Sequence, residues 1–122
     1  MEKENKTLAT MQSEVDDYIQ QFKAGYFSPL TLLARLTEEV GELAREVNHN
    51  YGEKTKKISE PAKEVAEELT DVLITTIIMA NALEIDLTQA FETNMAKFRQ
   101  RDHFRFERKD GMTEETKKGE EK

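Results

Sequence analysis

Apolar residues recur at intervals of three and four along most of this chain, in separate stretches broken by glycine, proline or polar runs. The first stretch predicts a helix from about Thr7 to Lys23, with Leu8, Met11, Val15, Tyr18, Ile19 and Phe22 on one stripe and Gly25 as its stop. Ser28-Pro29 opens a second helix, because serine caps free N–H groups and proline suits the first helical position. That helix runs to about Asn48, and its stripe is Leu32, Leu33, Leu36, Val40, Leu43, Ala44 and Val47. Gly41 interrupts it at a cost of roughly 1 kcal/mol against alanine, which suggests a close helix contact. A polar loop, Tyr51 to Glu60, leads to a third helix that starts around Ser59 and Pro61 and ends near Leu83.

The third helix changes character along its length. Val65, Leu69 and Val72 define an inward face in its first half, whereas Val72 to Leu83 is apolar around the whole circumference. A helix of that kind needs cover on every side. A bundle of about four helices in one chain cannot easily supply it, so the pattern predicts a second subunit. Asp86-Leu-Thr-Gln89 has the form of a capping box with Asp at its head. The fourth helix follows from Leu87 to about Arg101, with Ala90, Phe91, Met95 and Phe98 inward. The expected fold is an all-α bundle of about four helices. It forms a single domain over residues 1–106, with residues 1–6 frayed and a charged tail, 107–122, without fixed structure.

Composition agrees with helices. The 122 residues include 35% charged and 7% aromatic residues, with two prolines and five glycines, too few turn residues for a sandwich or barrel. The net charge of −7 argues against a broad nucleic-acid-binding surface, so no nucleic acid is expected as a partner. Cysteine is absent, which excludes disulfides and thiolate metal sites. No stretch reads as a signal peptide, and the uncharged run from Val72 to Leu83 is far short of the roughly 20 residues of a membrane span. A cytoplasmic protein with no membrane partner is the expectation.

The acidic residues carry the candidate chemistry. Glu39 and Glu42 are three apart on the second helix, and Glu68 and Asp71 are three apart on the third. On a helical wheel with Leu36 at zero, Glu39 falls at about 300° and Glu42 at about 240°. With Val65 at zero, Glu68 and Asp71 fall at the same two angles. Both pairs border their apolar stripe on the same side. Two helices packed antiparallel through these stripes would bring four carboxylates to the rim of the core. Such a group repels itself until a divalent cation binds, and oxygen ligands favour Mg²⁺, with Mn²⁺ as a substitute. The alternative is a solvated acidic face, as expected for Glu46, Glu64 and Glu67 in a chain with 25 acidic residues. Lys97 and Arg101, four apart at the end of the fourth helix, could meet phosphate groups or simply complement the helix dipole. Glu46 and His49 form an ExxH as in di-iron bundles, but Gln100 stands three before His103, so the second ExxH is missing.

The order Glu38-Glu39-x-x-Glu42, then Glu68-x-x-Asp71, then Lys97-Phe98-x-x-Arg101 resembles the MazG-like nucleotide pyrophosphohydrolases of the all-α NTP pyrophosphatase superfamily. The resemblance extends from about Leu8 to Phe106. It implies that Glu39, Glu42, Glu68 and Asp71 bind Mg²⁺, that Glu38 supports the site or orients water, and that Lys97 and Arg101 bind the triphosphate. It further implies hydrolysis of a nucleoside triphosphate between its α- and β-phosphates, a role in nucleotide-pool housecleaning, and assembly as a homodimer or a tetramer of dimers. Two rival functions stand beside it: a non-catalytic helical interaction module and a carboxylate-bridged di-iron protein.

Overall fold

The computed structural model describes residues 5–52 and 61–120. The described residues are helical and contain no strand: α1 (Leu8–Gln20), α2 (Pro29–Tyr51), α3 (Pro61–Ala82), α4 (Leu87–Asp102) and α5 (Glu114–Glu120). They fall into two compact units, Met1–Leu87 and Thr88–Lys122. None of these helices is long and apolar enough to cross a membrane.

Local chemistry sets the boundaries of the first unit. The Thr7 hydroxyl accepts from the Thr10 amide and caps α1. Ser28 does the same for α2 through the Thr31 amide, and Pro29 occupies the first turn. The predicted opening of α3 at Ser59 lies outside the described residues. Helix α1 ends at Gln20, a turn earlier than its pattern suggests. The chain then tightens through Phe22 and reverses at Gly25, whose φ of +59° suits glycine. Helix α3 ends in a Schellman motif: the Ile85 amide donates to the Ala80 carbonyl and the Glu84 amide to Asn81. Glu84 carries the left-handed residue of that motif at φ 57°. A side chain there costs roughly 1 kcal/mol, so Glu84→Gly is expected to stabilise the protein by about that amount, seen as a raised Tm in thermal unfolding.

Helix α3 is the spine of this unit, with α2 and α1 packed against it. Leu32 of α2 meets the interior together with Ile77 and Ala80 of α3, and these are the fully buried apolar side chains among the described residues. A polar clasp adds to them. The Gln12 side-chain amide donates to Asn81 Oδ1 and to the Ile85 carbonyl, its oxygen accepts from the Leu87 amide, and Asn81 Nδ2 donates to the Gln12 carbonyl, each at 2.9 Å. Nearby, the Tyr26 hydroxyl donates to Asp16 at 2.5 Å. Burial, with Asp16 adding to it, pushes the phenol above its ordinary pKa.

Several sequence expectations change here. Leu33, Val40, Ala44 and Val47 of α2 and Leu69 of α3 are exposed rather than inward, and Leu73 and Ile74, in the run apolar all round, are also exposed. Their stripes are wider than the contact that one chain can make. Tyr18 and Phe22 leave the α1 stripe and pack edge-on against each other, 5.4 Å between ring centres. A Cβ built at Gly41 meets nothing within 4 Å, so the expected close helix contact is not made among the described residues. Glu46, expected at the surface, is buried, with Asn50 donating to its carbonyl and carboxylate.

In the second unit, Ala90 and Met95 of α4 are half-buried, while Phe91 and Phe98 are exposed rather than inward. The segment after Phe106, expected to lack fixed structure, turns at Gly111 and forms the short helix α5 with Thr113 as its cap. Arg108 holds this turn by donating to Asp110 and to the His103 carbonyl. The bonds that Asp110 accepts from Arg108 and from the Met112 amide pull its carboxyl down to about 2.

Candidate metal centre

Glu39 and Glu42 stand one turn apart on α2, and Glu68 and Asp71 one turn apart on α3. The charges of Glu42 and Asp71 act on both Glu39 and Glu68, the arrangement expected of α2 and α3 running antiparallel. Glu39, Glu42 and Glu68 each offer a carboxylate oxygen within 4.8 Å of the other two. Glu39 and Glu68 are half-buried, and each has one buried oxygen, Oε2, without a hydrogen-bond partner among the described residues.

Those two orphaned oxygens decide what the cluster suits. A buried carboxylate oxygen ordinarily finds a donor, and here the nearest groups are more carboxylates. Desolvation, and after it the charge of Glu42, pushes both Glu39 and Glu68 above the ordinary carboxylate range. The donor set is all oxygen, negatively charged and poor in hydrogen-bond donors. It fits a hard divalent cation. Among the described residues it is the one group of three metal-ligating side chains, and it contains no histidine. His49 stands apart from it with a buried, unpartnered Nδ1 near the end of α2.

The raised pKa values have a measurable consequence. For a carboxyl whose folded pKa exceeds its unfolded value, the protonated form favours folding. Without divalent ions, the protein is therefore expected to lose stability as pH rises from the ordinary carboxylate range through the raised values of Glu39 and Glu68. The check is Tm against pH in a chelator, and Glu68→Gln should flatten the profile.

The other predicted residues are placed as follows. Glu38 is exposed beside Glu39, on which its charge acts. Lys97 and Arg101 stand on α4 in the second unit. Lys97 is exposed, and its side chain makes no hydrogen bond or ion pair among the described residues. Arg101 grips Asp102 with two bonds of 2.8 and 3.0 Å and lies 4.7 Å over the Phe98 ring. A phosphate would have to displace Asp102 from it.

Sequence reasoning missed Arg35. It lies one turn before Glu39, at about 260° on the same wheel. Its positive charge opposes the rise in the Glu39 pKa, and its guanidinium lies 5.9 Å from the centre of the Phe27 ring. The i, i+4 spacing to Glu39 was the available signal.

Comparison with known proteins identifies the family. The profile of the MazG nucleotide pyrophosphohydrolase domain matches residues 27–106, which include α2, α3, α4 and all four carboxylates. The uncharacterized protein YpjD of Bacillus subtilis (strain 168) is 56% identical over 106 residues, 87% of this chain and 96% of that protein. The crystal structure of B. subtilis YpjD, described as a candidate pyrophosphatase, superposes with a TM-score of 0.74 over 79% of this chain and 98% of that one. A Bacillus-conserved MazG protein, described as a nucleotide pyrophosphohydrolase, is 57% identical and superposes at 0.69 over 79% and 93% of the two chains. With the family profile spanning the whole carboxylate constellation and a relative more than half identical along nearly its full length, the chain belongs to the MazG nucleotide pyrophosphohydrolase family.

Proposed function

We propose that this protein is a Mg²⁺-dependent nucleoside triphosphate pyrophosphohydrolase that releases a nucleoside monophosphate and pyrophosphate. The observation that supports this most is the convergence of Glu39, Glu42 and Glu68 with two buried, unpartnered carboxylate oxygens. Family membership supports the reaction class.

Glu39, Glu42, Glu68 and Asp71 would hold Mg²⁺, with Mn²⁺ as a substitute. When bound, the ion supplies charge neutralisation of the triphosphate and a lowered pKa for water. Glu38 is an exposed carboxylate of the motif outside the three-residue cluster, suited to orient the attacking water and take its proton. Lys97 and Arg101 would carry the charge that accumulates on the departing pyrophosphate, Lys97 as a point charge and Arg101 after exchanging Asp102 for phosphate oxygens. The many exposed apolar side chains of α2 and α3 support assembly as a homodimer or tetramer of dimers. A cytoplasmic role in clearing unwanted nucleotides is part of this proposal.

A panel of canonical and modified nucleoside triphosphates, assayed with Mg²⁺, is expected to yield at least one monophosphate with stoichiometric pyrophosphate. Diphosphate and orthophosphate as products would contradict cleavage between the α- and β-phosphates. No turnover across the panel would favour a helical interaction module.

A further inference from the structure

The family profile ends at residue 106, yet the chain continues into α5, which builds a second polar feature with the end of α4. A cleft of about 690 Å³ opens there, within the second unit alone. Arg99 and His103 line it from the α4 side, Lys117 and Lys118 from α5, and Phe104 and Glu114 are also in its wall. The side chains of Arg99, Lys117 and Lys118 make no hydrogen bond or ion pair among the described residues. Three cations share one cleft with a single acidic side chain, Glu114, in a chain whose net charge is −7.

We propose that this cleft, whose wall shares no residue with the carboxylate centre, is a binding site for a phosphorylated nucleoside. Each part of the wall matches one part of such a ligand. Arg99 offers a planar donor fork for phosphate oxygens, and Lys117 and Lys118 add two mobile charges. Phe104 and His103 meet edge to face, 4.3 Å between ring centres, and give an apolar and aromatic surface for a base. Glu114 accepts hydrogen bonds and cannot donate them when ionised, so it repels phosphate and suits ribose hydroxyls. A wall with cations at one part and an acceptor at another favours a ligand carrying both phosphate and hydroxyl groups over a bare anion. The volume lies in the range of small-molecule sites.

The test uses the full-length protein in a chelator. Without divalent ions the Glu39, Glu42 and Glu68 cluster repels anions, so the result does not depend on the reaction assigned to it. Nucleoside monophosphates, inorganic phosphate and a short single-stranded oligonucleotide are titrated separately and followed by NMR. Saturable shifts at Arg99, His103, Phe104, Lys117 and Lys118 with a nucleoside monophosphate are expected. Binding should weaken at least tenfold in Lys117→Gln/Lys118→Gln and persist in Lys117→Arg/Lys118→Arg, which separates loss of charge from loss of α5. Absence of shifts at these residues up to millimolar ligand would overturn the proposal. So would equal affinity for inorganic phosphate, which shows that no nucleoside is recognised, or tighter binding of the oligonucleotide, which indicates an extended polyanion instead.

Discussion

Glu42→Gln and Asp71→Asn are each expected to cut pyrophosphate release at least ~100-fold while leaving the helices intact, because a metal-held charge is worth several kcal/mol to the reaction. Both substitutions keep the size of the side chain and remove its charge. In a chelator the Glu42→Gln protein should be more stable than the parent, since the charge of Glu42 contributes to raising both Glu39 and Glu68. A catalytic defect combined with a stability gain distinguishes a ligand cluster from a structural ion network, where loss of one partner destabilises. Glu67→Gln is the control: it is exposed, beside Glu68 on the same helix, and outside the motif. Lys97→Ala should raise KM or lower kcat yet leave Mg²⁺ affinity nearly unchanged. Mn²⁺ titration by calorimetry alongside steady-state kinetics reads all four variants. Wild-type metal binding and turnover in both Glu42→Gln and Asp71→Asn would show that these carboxylates are only a solvated face.

The second large effect is expected from charging the exposed apolar side of α3. Leu73 is 45% exposed and Ile74 42%, and together they line an apolar groove with Met11, Val15 and Tyr18 of α1. Leu69, in the same helix, is 55% exposed. If a second copy covers this surface, Leu73→Glu places an unpaired carboxylate in the interface, at a cost on the order of 3 kcal/mol per site. That corresponds to roughly 100-fold in each contact. Sedimentation at micromolar concentration should show the parent as a dimer or tetramer and the variant shifted toward monomer. Ile78 is less suitable because it is already half-buried within the chain, so a charge there would weaken the fold as well. A parent protein that sediments as a monomer would refute the assembly.

The helices and the acid pairs are legible in the sequence because both follow a local period. The wheel puts Glu39 with Glu42 and Glu68 with Asp71 on matching edges, and packing α2 against α3 brings Glu39, Glu42 and Glu68 together, with Asp71 acting on Glu39 and Glu68 through its charge. The same wheel places Glu46 at about 280°, on the edge that holds the site. Its burial escapes a sequence reading because the abundance of acids in the chain outweighs its position. The Gln12–Asn81 clasp joins side chains 69 residues apart, and such a pairing leaves no periodic trace. In the sequence, Asn81 is an incidental polar residue in an apolar run. The exposed stripe residues mark another limit: hydrophobic periodicity reports which faces avoid water, not whether the cover comes from the same chain. Helix α5 escapes notice because Glu- and Lys-rich composition is shared by solvated helices and unstructured tails.

The clasp gives the Leu87 amide a distinctive role as a reporter. That proton is held by a side-chain oxygen of Gln12, 75 residues earlier in the chain, instead of by a neighbouring turn. Its hydrogen exchange is therefore governed by the detachment of α1. Slow exchange at Leu87 signals that the first helix is docked, and accelerated exchange there in Gln12→Ala, with the Ile77 amide in the middle of α3 still protected, would measure the opening of α1 as a cooperative unit separate from global unfolding.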